Sequence, residues 1–194
     1  MNIYDFDNTI YNGDTNKDII KYALVRHPFL VINSLKQAKK LNKEYKKGQV
    51  PYERVKETML SFIFKINNYP KFIHDFVSSH MNKIKPWYLT KKTENDIIIS
   101  ASYDLWINEF AKRLGIKVVI ATRVDSNGKI IGKNCKREEK ISRLYAHVKN
   151  VNVSCAYSDS SSDIPMLEIA NVAYVVEGNR VIPYKKGYKF KNNN

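Results

Sequence analysis

A chain of 194 residues with 43% hydrophobic and 27% charged side chains can bury one domain, or one domain with a smaller insertion, and is excluded from the disordered class. No apolar run approaches the ~20 residues that span a bilayer, and two cysteines, Cys135 and Cys155, are too few for a disulfide framework. The formal charge of +14 suits nucleic acid, an anionic membrane surface or phosphorylated small molecules, or a merely solvated lysine-rich surface, and alone does not choose among them.

Met1-Asn2-Ile3-Tyr4-Asp5 opens on an apolar run, Asn2–Asp5, with strand character rather than a basic-then-apolar leader. Together with free thiols this leads us to expect a cytoplasmic protein. Residues 11–90 then read as helical throughout. Val31, Leu35, Ala38 and Tyr45 share one helical face and Lys36, Lys40, Lys43 and Lys47 another, before Gly48 ends the segment. Further helical pieces follow at Tyr52–Lys65 and Tyr69–Met81, and Pro86-Trp87 marks the return. Fifteen Lys/Arg against six Asp/Glu put +9 of the +14 in this insertion.

From Asp96 onward strand and helix alternate. Asp96–Ser100, Lys117–Ala121, Val153–Tyr157 and Val172–Val176 are apolar runs with little polar alternation, as parallel strands covered on both faces require. Between them Tyr103–Leu114, closed by Gly115, then Glu138–His147 and Ile164–Ala170 read as helices. Val124–Ile130 reads as a hairpin turning at Asn127-Gly128. The expected class is therefore α/β with a parallel sheet. The tail Lys185–Asn194 is polar and basic and is expected to fray.

Carboxylates fall at the ends of strands. Asp5-Phe6-Asp7-Asn8-Thr9 follows the first, and Asp159 and Asp163 follow the run ending at Tyr157. Open α/β sheets place ligands at the carboxyl ends of their strands, and hard oxygen donors gathered there suit Mg²⁺. Asp and Ser after strands also serve as helix caps and turn residues. Ser100 and the backbone N–H groups from Ala101 onward can hold a phosphate oxygen. Lys140, at the head of a helix, can neutralise phosphoryl charge. His27, His74, His80 and His147 have no metal-ligand spacing, and Cys155, inside a strand, reads as a small core residue.

In this order, Asp5-Phe6-Asp7-Asn8-Thr9, Ser100, Lys140 and Asp159…Asp163 resemble the four motifs of the haloacid dehalogenase (HAD) superfamily of phosphatases and phosphotransferases. Ser100-Ala101-Ser102-Tyr103 and the Gly132-Lys133-Asn134-Cys135 run leading to Lys140 are similar to its phosphoserine-phosphatase-like branch. The resemblance implies a Rossmann-like core, residues 1–10 and 91–194, with an all-helical cap inserted at 11–90. It also implies a two-step phosphoryl transfer. Asp5 would be the nucleophile, forming an aspartyl-phosphate, and Asp7 the general acid and base. Thr9, Ser100 and Ala101 would hold phosphate oxygens, and Lys140 would stabilise charge. Mg²⁺ would be held by Asp5, the Asp7 backbone carbonyl and Asp159, with Asp163 assisting and orienting Lys140.

The chain departs from the family pattern in places. Tyr157-Ser158 stand before Asp159 where Gly-Asp is common, and Lys136 is an alternative to Lys140 one helical turn away. Asp14 stands where phosphoserine-specific relatives carry a Glu that reads the substrate ammonium, which lowers the expectation of phosphoserine. The expected substrate is a small phosphorylated metabolite. Ile20–Phe29 and Tyr157–Leu167 are also similar to lipid-phosphate phosphatases of the same branch, which leaves open a peripheral contact of the basic cap with an anionic membrane. A phosphotransferase or phosphomutase differs only in the acceptor. A non-catalytic nucleic-acid-binding protein is the remaining alternative; four carboxylates on a phosphate path speak against it, and no nucleic-acid partner is expected. The oligomeric state is not legible.

Overall fold

A computed structural model describes residues 1–190. Six strands form one sheet in the order β3-β2-β1-β4-β5-β6. They are β1 Asn2–Tyr4, β2 Ile97–Tyr103, β3 Val118–Thr122, β4 Val153–Ser158, β5 Ala170–Glu177 and β6 Arg180–Pro183. The first five are parallel and β6 runs antiparallel along β5. In β2 the side chains of Ile97, Ile98, Ile99 and Ser100 are all buried, the signature of a strand covered on both faces.

The two faces feed two cores. Ile3, Ile97, Ile99 and Ala156 point to a layer with Leu144, Met166 and Leu167. Their neighbours Tyr4, Ile98 and Tyr157 point to the other side, where Trp106 and Phe110 pack. Tyr4, Tyr157 and Tyr174 sit opposite one another on β1, β4 and β5 and stack at 4.6 and 4.9 Å. Helix α6 (Asp104–Leu114) ends at Gly115 in the left-handed region, and α7 (Glu138–His147) and α8 (Ile164–Glu168) complete the later alternation.

Between β1 and β2 the named elements are helical: α1 (Thr15–Arg26), α2 (Pro28–Lys46), α3 (Tyr52–Leu60), α4 (Tyr69–His80) and α5 (Pro86–Lys91), with short 3₁₀ turns. His27 alone joins α1 to α2, and Pro28, which has no N–H to lose, starts the second helix. Ile19, Ala23, Val31, Phe72 and Phe76 bury their side chains in the same cluster as Tyr4 and Phe110, so the insertion lies on one face of the sheet. It leaves and rejoins the core through paired segments, Asn12 N–H donating to Lys83 O and Lys85 N–H to Ile10 O. Helix α5 stays with the core, its Tyr88 ring set edge-on to Tyr4 at 5.0 Å.

The structure departs from the sequence reading at two places, the edge strand and the tail. Strand β6 carries no continuous apolar run and was not expected; it forms because β5 offers an open edge and a tight turn at Gly178 returns the chain. The expected hairpin at Val124–Ile130 is present as a short antiparallel pairing, closed by the Gly128 N–H donating to Asp125 O at 3.1 Å; Gly128, at φ +79°, lies against the Phe64 ring of the insertion, where a Cβ would collide. The tail does not fray as far as Phe190. That side chain is buried beside Tyr184 and Tyr188, and Tyr188 Oη donates to Glu177 at 2.7 Å. Residues 191–194 lie outside the described chain.

Candidate active site

The sheet order reverses direction between β1 and β4, the position at which open α/β sheets bind ligands beyond the carboxyl ends of their strands. Asp5 and Asp7 leave the end of β1, and Asp159 and Asp163 follow β4. Helix α7 supplies Lys140, only 1% exposed. Its Nζ donates to Asp5 Oδ1 at 2.6 Å and to Asp163 Oδ2 at 2.8 Å. Burial alone would lower the pKa of this ammonium, but Asp163 and Asp5 outweigh burial and hold it charged above the ordinary lysine range. Lys136 lies at the cavity rim instead, so it is Lys140 that the fold brings among the carboxylates.

One ammonium does not balance the acids around it. Burial raises the Asp5 carboxyl well above the usual range against the pull of Lys140, and Asp163, Asp159 and Asp7 raise it further. Burial, then Asp163, pushes Asp159 up to about 6. Thr9 braces the pair: its hydroxyl is 3.2 Å from Asp5 Oδ2 and 3.4 Å from Asp159 Oδ1, and it accepts the Asp159 N–H at 3.1 Å. Asp163 Oδ2 also accepts from Ser158 at 2.7 Å, so the Ser158 that replaces the common glycine finds a use.

Asp7 points the other way, toward the start of the insertion. Its Oδ1 accepts the Thr15 N–H and its Oδ2 the Ser102 hydroxyl, both at 2.6 Å. Burial raises this carboxyl above its ordinary value against those two donors. A cavity of about 370 Å³ opens over Asp5, Asp7, Ala101, Lys140, Asp159 and Asp163, with Asp14, Lys17, Tyr52 and Lys56 on the insertion's side.

Not every expected residue faces this cavity. Thr9 and Ser100 are fully buried beneath it, and Ser100 Oγ accepts the Ser102 N–H at 3.0 Å. Asp14 lines the cavity but caps α1, accepting the N–H groups of Asn16 and Lys17 at 2.9 and 3.2 Å. Two buried lysines were missed in the sequence. Lys56 of α3 donates to Ala101 O at 2.5 Å and Asn134 Oδ1 at 2.8 Å, and burial lowers its pKa to about 8. Lys85 donates to Asn8 O and to Gly178 O, tying the loop after β1 to the β5–β6 turn. In a lysine-rich chain, no residue-level signal marks these two.

A family model for haloacid dehalogenase-like hydrolases matches residues 3–168. The chain belongs to that family. Within these hydrolases its likeness is to phosphatases of the phosphoserine-phosphatase type. It is 23% identical to phosphoserine phosphatase of Methanocaldococcus jannaschii over 189 residues, 88% of this chain and 82% of that protein. It is 38% identical to protein CicA of Caulobacter vibrioides over 82 residues, 39% of this chain, a match that spans only 37% of CicA. The fold is similar to that of a Bordetella pertussis protein of unknown function (TM-score 0.66, 19% identity, 89% and 87% of the two chains). It is also similar to a phospho-aspartyl intermediate analogue of phosphoserine phosphatase (TM-score 0.51, 22% identity, 88% and 83%).

Proposed function

We propose that this HAD-like hydrolase is a Mg²⁺-dependent phosphomonoesterase that works through an aspartyl-phosphate on Asp5 and acts on a small phosphorylated metabolite. The observation that carries this reading is the bridge of Lys140 between Asp5 and Asp163 at the floor of a cavity of about 370 Å³, a size for a small ligand. In this reading the insertion of residues 11–90 is the cap, less its last helix α5, which packs on the core.

The donor set fits Mg²⁺. Lys140 pairs with Asp5 and Asp163 and leaves Asp159 without an ion-pair partner among the described residues, and burial, then Asp163, raises the Asp159 carboxyl to about 6. Mg²⁺ takes few carboxylates and fills its sphere with water and phosphate oxygens, so two carboxylates and a carbonyl beside a phosphate path are sufficient for it. Asp5, the Asp7 carbonyl and Asp159 would hold it, with Asp163 committed to orienting Lys140. A bound Mg²⁺ would lower the repulsion between nucleophile and phosphoryl group.

An Asp5 oxygen attacks phosphorus and the bond to the leaving oxygen breaks, that oxygen taking a proton from Asp7. Asp7, now a base, draws a proton from the water that attacks the aspartyl-phosphate, releasing phosphate and restoring Asp5. Lys140 offsets the charge that builds on the phosphoryl oxygens. The Ala101 N–H, at the cavity wall, is suited to hold one of those oxygens, with Ser100 and Thr9 supporting from below. The test is phosphate release from an aryl phosphate. Excess EDTA and Asp5→Asn should each abolish it, and turnover that survives both would refute the reading.

The insertion's outer face favours a second reading, a lipid phosphate at a membrane surface. Val25 and Phe29 are 82% and 85% exposed at the α1–α2 corner, beside Leu24 and Ile32. Lys36, Lys40, Lys43 and Lys47 continue the Phe29 face at helical spacing, and none has an ion-pair partner among the described residues. An apolar tip followed by a lysine stripe matches an anionic bilayer, whereas the stripe would repel a second copy of itself. Co-sedimentation with anionic vesicles at low salt, weakened roughly tenfold or more by Lys→Gln at the four positions and also by Phe29→Ser, would support it. No binding at low salt would defeat it.

A further inference from the structure

Both oxygens of Asp7 are held by residues to which no role has yet been given, through hydrogen bonds that run in one direction while Asp7 is ionised. The Trp106 indole Nε1–H donates to Thr15 Oγ1 at 3.0 Å. Thr15 Oγ1 donates to Ser102 Oγ at 3.1 Å, and Ser102 Oγ donates to Asp7 Oδ2 at 2.6 Å. Asn16 Nδ2 adds a second donor to Ser102 Oγ at 2.7 Å. An indole can only donate, which fixes the direction at one end. A hydroxyl has one proton and two lone pairs. With the Ser102 lone pairs taken by Thr15 and Asn16, its proton has no destination but Asp7. Thr15, Ser102 and Trp106 are fully buried, so water does not compete for these groups.

The chain joins three parts of the molecule. Ser102 belongs to β2, Trp106 to α6, and Thr15 is the first residue of α1. The Thr15 N–H also holds the second Asp7 oxygen at 2.6 Å.

We propose that Ser102 and Thr15 are positioning residues for Asp7, aiming its carboxyl by a one-way hydrogen-bond chain anchored at Trp106 and completed only when α1 is docked on the core. The proposal rests on Asp7 being the general acid and base. Its consequence falls on the step in which the P–O bond to the leaving group breaks while that oxygen takes the Asp7 proton. A p-nitrophenolate leaves with little help, whereas an alkoxide needs the proton in the transition state.

The test compares p-nitrophenyl phosphate with an alkyl phosphate such as glycerol 2-phosphate, in the wild type, Ser102→Ala, Ser102→Thr, Thr15→Val and Asp7→Asn. Ser102→Ala should lose more kcat on the alkyl than on the aryl ester, by roughly tenfold or more, with KM little changed. Ser102→Thr should restore much of it, and Thr15→Val, which keeps the backbone donor, should move the same way by less. Equal losses on both esters from Ser102→Ala, or none, overturn the proposal while Asp7→Asn still discriminates the two leaving groups. If Asp7→Asn itself does not discriminate, the acid–base reading of Asp7 falls and the proposal falls with it. Thermal melts of each variant separate a loss of folding, which would lower both esters alike together with Tm, from the overturning result, which is an equal loss at unchanged Tm.

Discussion

Lys140 is an ammonium removed from water and held by two carboxylates, an arrangement that costs several kcal/mol in desolvation and is repaid only while both partners stay in place. Removing the cation would leave Asp5 and Asp163 facing each other across an apolar gap. Lys140→Ala should therefore lower stability by about 3 kcal/mol, the low end for a broken buried pair, because burial already raises the Asp5 carboxyl and eases its neutralisation once the cation is gone. Turnover should fall further still. Lys136→Ala, at the cavity rim, should stay within about 0.5 kcal/mol in stability. Denaturant unfolding and phosphate release on the two variants check this, and the reverse ranking would move the functional lysine to Lys136. The neighbouring polar residues are placed with comparable specificity, Thr9 spanning Asp5 and Asp159 while Ser158 steadies Asp163.

At the level of elements, the site depends on how α3 grips the core. Glu53 accepts the Asn134 N–H and Glu57 the Ile130 N–H, both at 3.0 Å, while Lys56 reaches Ala101 O between them. Three residues within five positions thus clamp the insertion over the strand that carries Ser100. This clamp was illegible in the sequence, because Glu53, Lys56 and Glu57 at helical spacing look like a solvated face and only the partner's position shows otherwise. The strands were legible for the opposite reason. Ile97-Ile98-Ile99 has no polar alternation, and burial on both faces is the only setting that suits it. Helix α7 reads correctly at both ends because acidic residues open it and His147 closes it. The carboxylates were legible because each directly follows such a strand. Their burial, the direction of Asp7 toward Thr15, and the edge strand β6 depend on distant segments that no local pattern encodes.

The whole molecule combines a basic insertion with a central cluster of acids, and the cluster makes stability depend on pH and metal together. Burial and neighbouring carboxylates raise Asp159 to about 6 and move Asp5 and Asp7 in the same direction. A carboxyl raised in the folded state stabilises the fold below its unfolded pKa, near about 4, and that contribution is lost as pH rises through the folded value. The metal-free protein should thus lose thermal stability from about pH 4 to beyond pH 6 on account of these groups. Mg²⁺ binds the deprotonated carboxylates, so it must displace more protons at low pH than at neutral pH. The gain in Tm on adding saturating Mg²⁺ should accordingly be larger at about pH 7.5 than at about pH 5, with roughly 2–4 °C for each kcal/mol of binding linkage. Asp159→Asn should reduce the metal-free slope and shrink the Mg²⁺ gain together, since this carboxylate contributes to both. Thermal melts at the two pH values, with and without Mg²⁺, are sufficient to decide. A gain that is equal at both pH values, or greater at the acid one, would show that the ion does not bind where the protons are held.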